Sequence, residues 1–236
     1  MHTQLISMPE TMIHARLVAR DNRFVVTART EKGLLQAHCN NSGSMLGLLK
    51  PDSEILLSLA SNPKRKLPYT LEAVHCFGGW VGVNTQTPNV MIAAAFHAGL
   101  LPGAGDYATF QREVKRKHSR FDGLLTGDSA PPLWIEAKNV TLVEDDIAAF
   151  PDAVTKRGQK HLLELMDIVD SGERAAMFFL VQRPDGKCFG PAEYVDPEFA
   201  RLFWQAVDTG VEVWPFRAEV SPEGIGLGPR LPLAPR

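Results

Sequence analysis

Asp122, Glu136 and Lys138 are spaced as a reacting group needs them. Asp122 lies in an extended run over residues 119–125, and thirteen residues separate it from Glu136, which opens Glu136-Ala137-Lys138 in the next apolar-flanked run. Two carboxylates brought together across adjacent strands can hold a hard cation, Mg²⁺ or Mn²⁺, through oxygen, leaving positions for water and phosphate. Side chains two apart in a strand share a face, so Glu136 and Lys138 point the same way. Lys138 then stands beside the metal-bound water or the scissile phosphate, where its charge orients the nucleophile and stabilises negative charge as it develops. Ala137 points into packing, yet its carbonyl can serve as a further ligand. This is the D-(x)n-E-x-K arrangement of nucleases built on a hairpin. The competing reading is a Glu136–Lys138 pair that only supports the sheet. Against it, Trp134, Ile135, Ala137 and Val140 make the strand too apolar for an edge. Charges on such an element are costly without a partner or ligand.

Other residues extend the candidate site. Glu113, on the preceding run, can add a third carboxylate from an adjacent strand, or pair with Arg120 or Lys115. Gln159, Lys160 and His161 lie in a helix after the E-x-K run. His161 shares that helix's apolar face and reads as a core histidine, whereas Gln159 and Lys160 are placed to touch a phosphate. Two basic runs offer backbone neutralisation: Lys64-Arg65-Lys66, and the segment containing Arg112, Lys115 and Arg120, where five Lys/Arg face one Glu over residues 112–120. Tyr69 stands near the first run, and Phe24 follows Arg16, Arg20 and Arg23. Mixed base and aromatic of this kind suits stacking on a nucleic acid, although Phe24 reads as core.

The elements that position these groups fall into two halves. Over residues 15–80, five short extended runs (15–19, 24–30, 34–39, 54–61 and 70–77) are broken by Asp21-Asn22, Lys32-Gly33, residues 40–43 and Asn62-Pro63. Regular short strands with such turns read as a small five-stranded barrel, a form that often binds oligonucleotides. A boundary falls near residue 85, giving domains 1–85 and 86–236. The second half reads helix, three strands, helix, strand, helix, strand, which is an α/β domain closed by right-handed crossovers. Its helices cover residues 89–100, 152–169 with Val154, Leu162 and Leu165 on the inward face, and 196–208, capped by Asp196, Pro197 and Gly210. Residues 175–182 form an unbroken apolar run suited to a fully buried strand. The Gly- and Pro-rich stretch 224–236 reads as a surface tail, and Pro229 and Pro232 exclude a dinucleotide-binding loop there.

The chain has 236 residues, 44% of them hydrophobic, enough for a sizeable core. Its net charge is −2 but uneven: residues 1–87 carry nine Lys/Arg and six Asp/Glu (+3), residues 88–236 sixteen and twenty-one (−5). Local patches can therefore attract a polyanion although the whole is mildly acidic. Three cysteines without a C-x-x-C pair indicate reduced thiols. No span suits a bilayer and no leader is evident, so a cytoplasmic protein with no membrane partner is expected. Oligomeric state is not legible.

A long ordered set of residues resembles the sugar fermentation stimulation protein A family. It comprises Ala37-His38-Cys39-Asn40-Asn41-Ser42-Gly43-Ser44-Met45, Lys64-Arg65-Lys66-Leu67-Pro68-Tyr69-Thr70-Leu71-Glu72 and Val83-Asn84-Thr85. In the second half it comprises Arg112-Glu113-Val114-Lys115, Ser119-Arg120-Phe121-Asp122, Glu136-Ala137-Lys138-Asn139-Val140-Thr141-Leu142, Phe150-Pro151-Asp152-Ala153-Val154-Thr155 and Arg157-Gly158-Gln159-Lys160-His161. The resemblance implies an N-terminal OB-fold barrel joined to a restriction-endonuclease-like PD-(D/E)XK α/β domain. It also implies non-specific DNA binding and a role in regulating sugar, especially maltose, utilisation. The chain departs from the family where Ala137 replaces a larger aliphatic residue, where Lys117 or His118 replaces a turn glycine, and where Gly123 replaces a larger apolar residue. Two functions follow as expectations: a Mg²⁺- or Mn²⁺-dependent nuclease on single- or double-stranded DNA, or a non-catalytic DNA-binding regulator. RNA stays open as a partner, because a barrel that stacks bases need not sense the 2′-hydroxyl.

Overall fold

A computed structural model describes residues 4–9, 11–117 and 119–236. The first half is a closed barrel. Strands β2 (Ile13–Asn22), β3 (Val25–Thr30), β4 (Gly33–His38), β5 (Glu54–Leu59) and β6 (Tyr69–Cys76) run in the order β4-β3-β2-β5-β6, and a parallel β4–β6 pairing closes the ring. β7 (Gly79–Gly82) extends β6 as a hairpin. Alternating inward residues, among them Leu17, Val26, Ala28, Ile55, Leu57, Leu71 and Val74, fill the interior. The five expected runs are these five barrel strands.

The second half is an α/β domain around a seven-stranded sheet of order β1-β16-β15-β13-β10-β9-β8. Its strands are β1 (Gln4–Ser7), β8 (Thr109–Arg116), β9 (Ser119–Thr126), β10 (Leu133–Val140), β13 (Arg174–Val181), β15 (Glu212–Val220) and β16 (Gly224–Arg230). β10, β13 and β15 are parallel and central, which is why the expected run is apolar from Ala175 to Val181, with the buried Gln182 just past the strand. Helix α1 (Thr87–His97) packs on one face with Met91, Ile92 and Ala95. Helices α2 (Lys156–Asp170) and α3 (Pro197–Thr209) cover the other with Leu162, Leu165, Phe199 and Phe203. A small sheet of β11 (Leu142–Glu144), β12 (Ile147–Phe150) and β14 (Cys188–Pro191) flanks the strand ends.

Several expectations need correction. Gln4–Ser7 does not join the barrel; it pairs with β16 in the second sheet. The 224–236 stretch is no surface tail at its start, because Gly224–Arg230 is a sheet strand. Its glycines read as loop but are steric: a Cβ on Gly224 would overlap the carbonyl of Ile6, and one on Gly228 would meet that of Arg217 at 2.9 Å. Val154 lies before α2 and is 64% exposed, because Thr155 is the cap, its side chain accepting from Gly158 N. Of the turn before Ser119, His118 is outside the described residues. Lys117 there takes a φ of 50°, a conformation that suits the glycine it replaces. At Gly123 a side chain would meet Phe110 at 2.7 Å, so the Phe110 ring fills the volume of the larger residue expected there.

The loop after β4 joins the two halves. Ser44 Oγ and Met45 N donate to Asp152 Oδ2 at 3.2 and 3.4 Å, and Arg20 holds the same loop through the carbonyls of Asn41 and Gly43. On the other side Arg183 lies 3.5 Å over the Phe77 ring. A Cβ on Gly43 would overlap the Asp152 carboxylate. Gly43→Ala therefore lowers stability by about 1–3 kcal/mol, and Asp152→Ala in the same chain restores much of it. Melting curves check this, and an unchanged Gly43→Ala curve would show that the junction tolerates the methyl.

Candidate active site

The alternation of β10 assigns its residues to opposite layers. Leu133, Ile135 and Ala137 face α1, while Trp134 and Val140 face α2, so Glu136 and Lys138 project on the α2 side. β9 pairs with β10 only through Leu133↔Leu125, Trp134↔Leu124 and Ile135↔Gly123. Past that point the alternation of β9 breaks: Phe121 packs in the α2 layer, while Gly123 abuts Phe110 and Ile92 on the other side. Asp122 fills the gap so opened. Its Oδ2 accepts from Ala137 N at 2.8 Å, replacing the missing ladder bond, and its Oδ1 accepts from Asn89 Nδ2 at 2.6 Å. The N–H and C=O of a strand residue leave on the same side, so the Ala137 carbonyl also faces this gap.

Glu136 is 2% exposed. Its Oε1 accepts from Lys138 Nζ and from His161 Nδ1. Arg157 Nε donates to His161 Nε2 at 3.4 Å, which leaves the ring proton on Nδ1, aimed at Glu136. The other carboxylate oxygen, Glu136 Oε2, is buried with no hydrogen-bond partner. Burial works against ionisation of Glu136, but Lys138 and His161 outweigh it and hold the carboxyl below its ordinary range. Asp122 goes the other way: burial first, and then repulsion from Glu136, raise its carboxyl above the ordinary range.

An orphaned buried oxygen on one carboxylate, beside a second carboxylate that resists ionising, is the chemistry a hard cation relieves. The residues therefore fit Mg²⁺ or Mn²⁺. Among the described residues no three His, Cys, Asp or Glu side chains converge to hold a metal unaided. Asp122 and Glu136 would be completed by the Ala137 carbonyl, water and phosphate. Glu113 sits at a φ of 57° with its carboxylate 2.9 Å from Arg120 Nε, so here it is engaged in the ion pair. The three cysteines are unpaired, and burial pushes the Cys76 thiol up to about 11.

The expected contact residues divide. Gln159 is buried and donates to Asp196 Oδ1 at 2.8 Å, where Asp196 also accepts from Thr155 N and Phe199 N. It couples the caps of α2 and α3 and is not presented to a phosphate. Lys160 is exposed and lies 3.6 Å from Glu164. Arg116 and Lys117 pair with Glu173 and Asp167, while Arg112 and Lys115 are exposed and have no ion pair among the described residues. Lys64 and Lys66 are exposed, and Arg65 donates to Thr70 Oγ1 at 3.0 Å. Phe24, expected in the core, is 49% exposed and stacks near-parallel on His38. Reading residue by residue missed Asn89 and the tie of His161 to Glu136. The only local hint was a histidine on an apolar helix face.

Fold and site together define a two-domain protein in which a closed barrel of the OB type is joined to an α/β domain carrying a carboxylate–lysine cluster. The chain belongs to the sugar fermentation stimulation protein family: residues 18–83 match the SfsA N-terminal OB domain, and residues 86–224 match the Sugar fermentation stimulation protein RE domain. A sugar fermentation stimulation protein homolog of Maridesulfovibrio salexigens is 54% identical over 236 residues, covering 99% of both chains. That of Syntrophobacter fumaroxidans is 55% identical over 227 residues, covering 96% of this chain and 87% of its own. The solved structure of Pyrococcus furiosus SfsA in complex with Ca²⁺ superposes with a TM-score of 0.90 at 24% identity, over 98% of this chain and 99% of that one. None of the helices among the described residues is long and apolar enough to cross a membrane.

Proposed function

We propose that this chain binds DNA and hydrolyses its phosphodiester bonds with Mg²⁺ or Mn²⁺ at Asp122, Glu136 and Lys138, in a domain of restriction-endonuclease-like type. The observation that carries this reading is the buried, unpartnered Oε2 of Glu136 beside Asp122, with Lys138 on the same face as Glu136. A purely structural ion pair has no use for a second carboxylate held at its side. The Pyrococcus furiosus relative is described in complex with Ca²⁺, another oxygen-seeking cation, which supports a divalent ion here.

When bound, the cation supplies Lewis acidity and a water of lowered pKa. Asp122 and Glu136 would hold the cation, and Asn89 and the Ala137 N–H fix Asp122. His161 fixes the rotamer of Glu136 from the α2 side. Lys138 would set its Nζ beside the phosphate oxygens that gain negative charge in the transition state. The test is incubation of pure protein with labelled single- and double-stranded DNA and RNA, with Mg²⁺, with Mn²⁺ and with chelator. Metal-dependent products are expected, and a protein that cuts none of these substrates is not a nuclease.

The closed Lys138–Glu136 contact favours one other reading, in which the domain is a binding surface of a sugar-metabolism regulator. Both readings need phosphate contacts from exposed bases. Charge reversal at Lys64, Arg65 and Lys66 should weaken DNA binding and flatten its salt dependence by about one unit of slope per lost contact. An unchanged slope in the folded triple variant would make that run mere solvated surface.

A further inference from the structure

Beside the barrel's loop junction lies a polar groove of 420 Å³ lined by His38, Asn40, Ser58, Arg65, Glu72 and Asn84. That volume is within the roughly 300–1,000 Å³ of small-ligand pockets. Its floor is an ordered network rather than loose surface. Glu72 Oε1 accepts from Ser58 at 2.6 Å and Glu72 Oε2 from Asn84 at 2.7 Å, while Asn84 Oδ1 accepts from Asn40. The Glu72 carboxylate disfavours a second anion at the floor itself, so the floor suits a polar, uncharged group, such as a base edge or sugar hydroxyl. Arg65, held by Thr70, puts a cation on the wall of the same groove. His38 lines the groove and stacks at 16° to the half-exposed ring of Phe24, 6.4 Å between centroids. Phe24 is held by its backbone, with Asn22 Oδ1 accepting from Phe24 N and Cys39 N donating to its carbonyl, and the ring is left about half open to solvent beside His38.

The groove also points at the cluster. Asn40 accepts from Thr85 N at its Oδ1 and from the Thr85 hydroxyl at its carbonyl, and Asn84 Oδ1 accepts from Gln86 N, the cap of α1. Asn89, in the first turn of α1, holds Asp122. The five Cα-to-Cα steps from Asn84 to Asn89 span at most about 18 Å.

We propose that Phe24, His38 and this groove form a subsite for one unpaired nucleotide, with the ring faces taking the base and the groove taking its polar edge or sugar. The adjoining cluster then acts on single-stranded or frayed nucleic acid, a step that rests on the nuclease reading, whereas the subsite does not. Unpaired DNA and RNA share the chemistry recognised.

Binding of fluorescent oligothymidylate, oligouridylate and a blunt duplex, measured in chelator, tests the subsite without cleavage. Loss of one base stack, at about 1–3 kcal/mol, corresponds to roughly five- to 150-fold. Phe24→Ala should weaken single-strand binding at least about fivefold and leave the duplex unchanged, with Phe24→Trp restoring affinity and its indole emission quenched on binding. Comparable loss with both oligonucleotides assigns the subsite to either source; loss with one assigns it to that one. Equal single-strand affinity in wild type and Phe24→Ala overturns the proposal, as does wild type that binds only duplex. Cleavage with Mg²⁺ is scored separately: duplex cutting without the Phe24 effect sinks the subsite alone, and the Phe24 effect without any cutting sinks the nuclease reading alone.

Discussion

Lys138→Ala should lower the cleavage rate by on the order of a hundredfold or more while DNA affinity stays close to wild type. Binding is spread over many phosphate contacts, so one lysine adds little to it. Catalysis differs, because a charge aimed at the developing transition state acts on the barrier and not on the ground state. The variant also strips Glu136 of a buried partner, leaving His161 alone at Oε1. Rates are therefore compared with Mg²⁺ present and with a melting curve alongside. Lys138→Met, which keeps the aliphatic stem, serves where alanine loosens the sheet. If either folded variant cuts as fast as wild type, Lys138 has no part in the reaction.

Asp122→Asn should abolish cleavage and yet stabilise the metal-free protein. A carboxyl raised on folding binds its proton more tightly in the native state. Stability from this group is therefore greatest in acid and falls as pH rises through the ordinary carboxyl range and the raised native value. At neutral pH the charge on Asp122 costs stability, which the neutral amide removes, its oxygen accepting from Ala137 N and its Nδ2 donating to Asn89 once that side-chain amide turns over. Glu136 has the opposite sign: its contribution is present above its unfolded value and is lost as pH falls through the lowered native one. In chelator, Asp122→Asn should thus melt higher, at roughly 2–4 °C per kcal/mol recovered for a chain of this size. Mn²⁺ should raise the melting temperature of wild type but not of the variant. A variant that melts lower in chelator would show that Asp122 is there for structure.

The clustering of Asp122, Glu136 and Lys138 was legible because its geometry is local. Strand alternation alone puts Glu136 and Lys138 on one face, and consecutive antiparallel strands bring Asp122 across. Asn89 and His161 were not legible as its supports, since they come from 33 and 25 residues away in sequence and reach the cluster only through helix packing. The barrel was readable from turn residues between short alternating strands, and α3 from Asp196, Pro197 and Gly210. Gln4–Ser7 was not read as a strand and fell inside the 1–85 barrel bounds, because its partner is at the far end of the chain, a pairing that local pattern does not encode. β16 was hidden by glycines that its neighbours' close approach requires. Phe24 read as core by residue type, yet its half-exposed ring stacked on His38 is what singles out the groove.

Calorimetric titration of Mn²⁺ into wild type and into Glu136→Gln tests the central claim most directly. One ion per chain is expected in wild type, lost when the orphaned carboxylate oxygen becomes an amide. Equal affinity and stoichiometry in the two proteins would place any metal elsewhere and leave Asp122, Glu136 and Lys138 as a structural cluster.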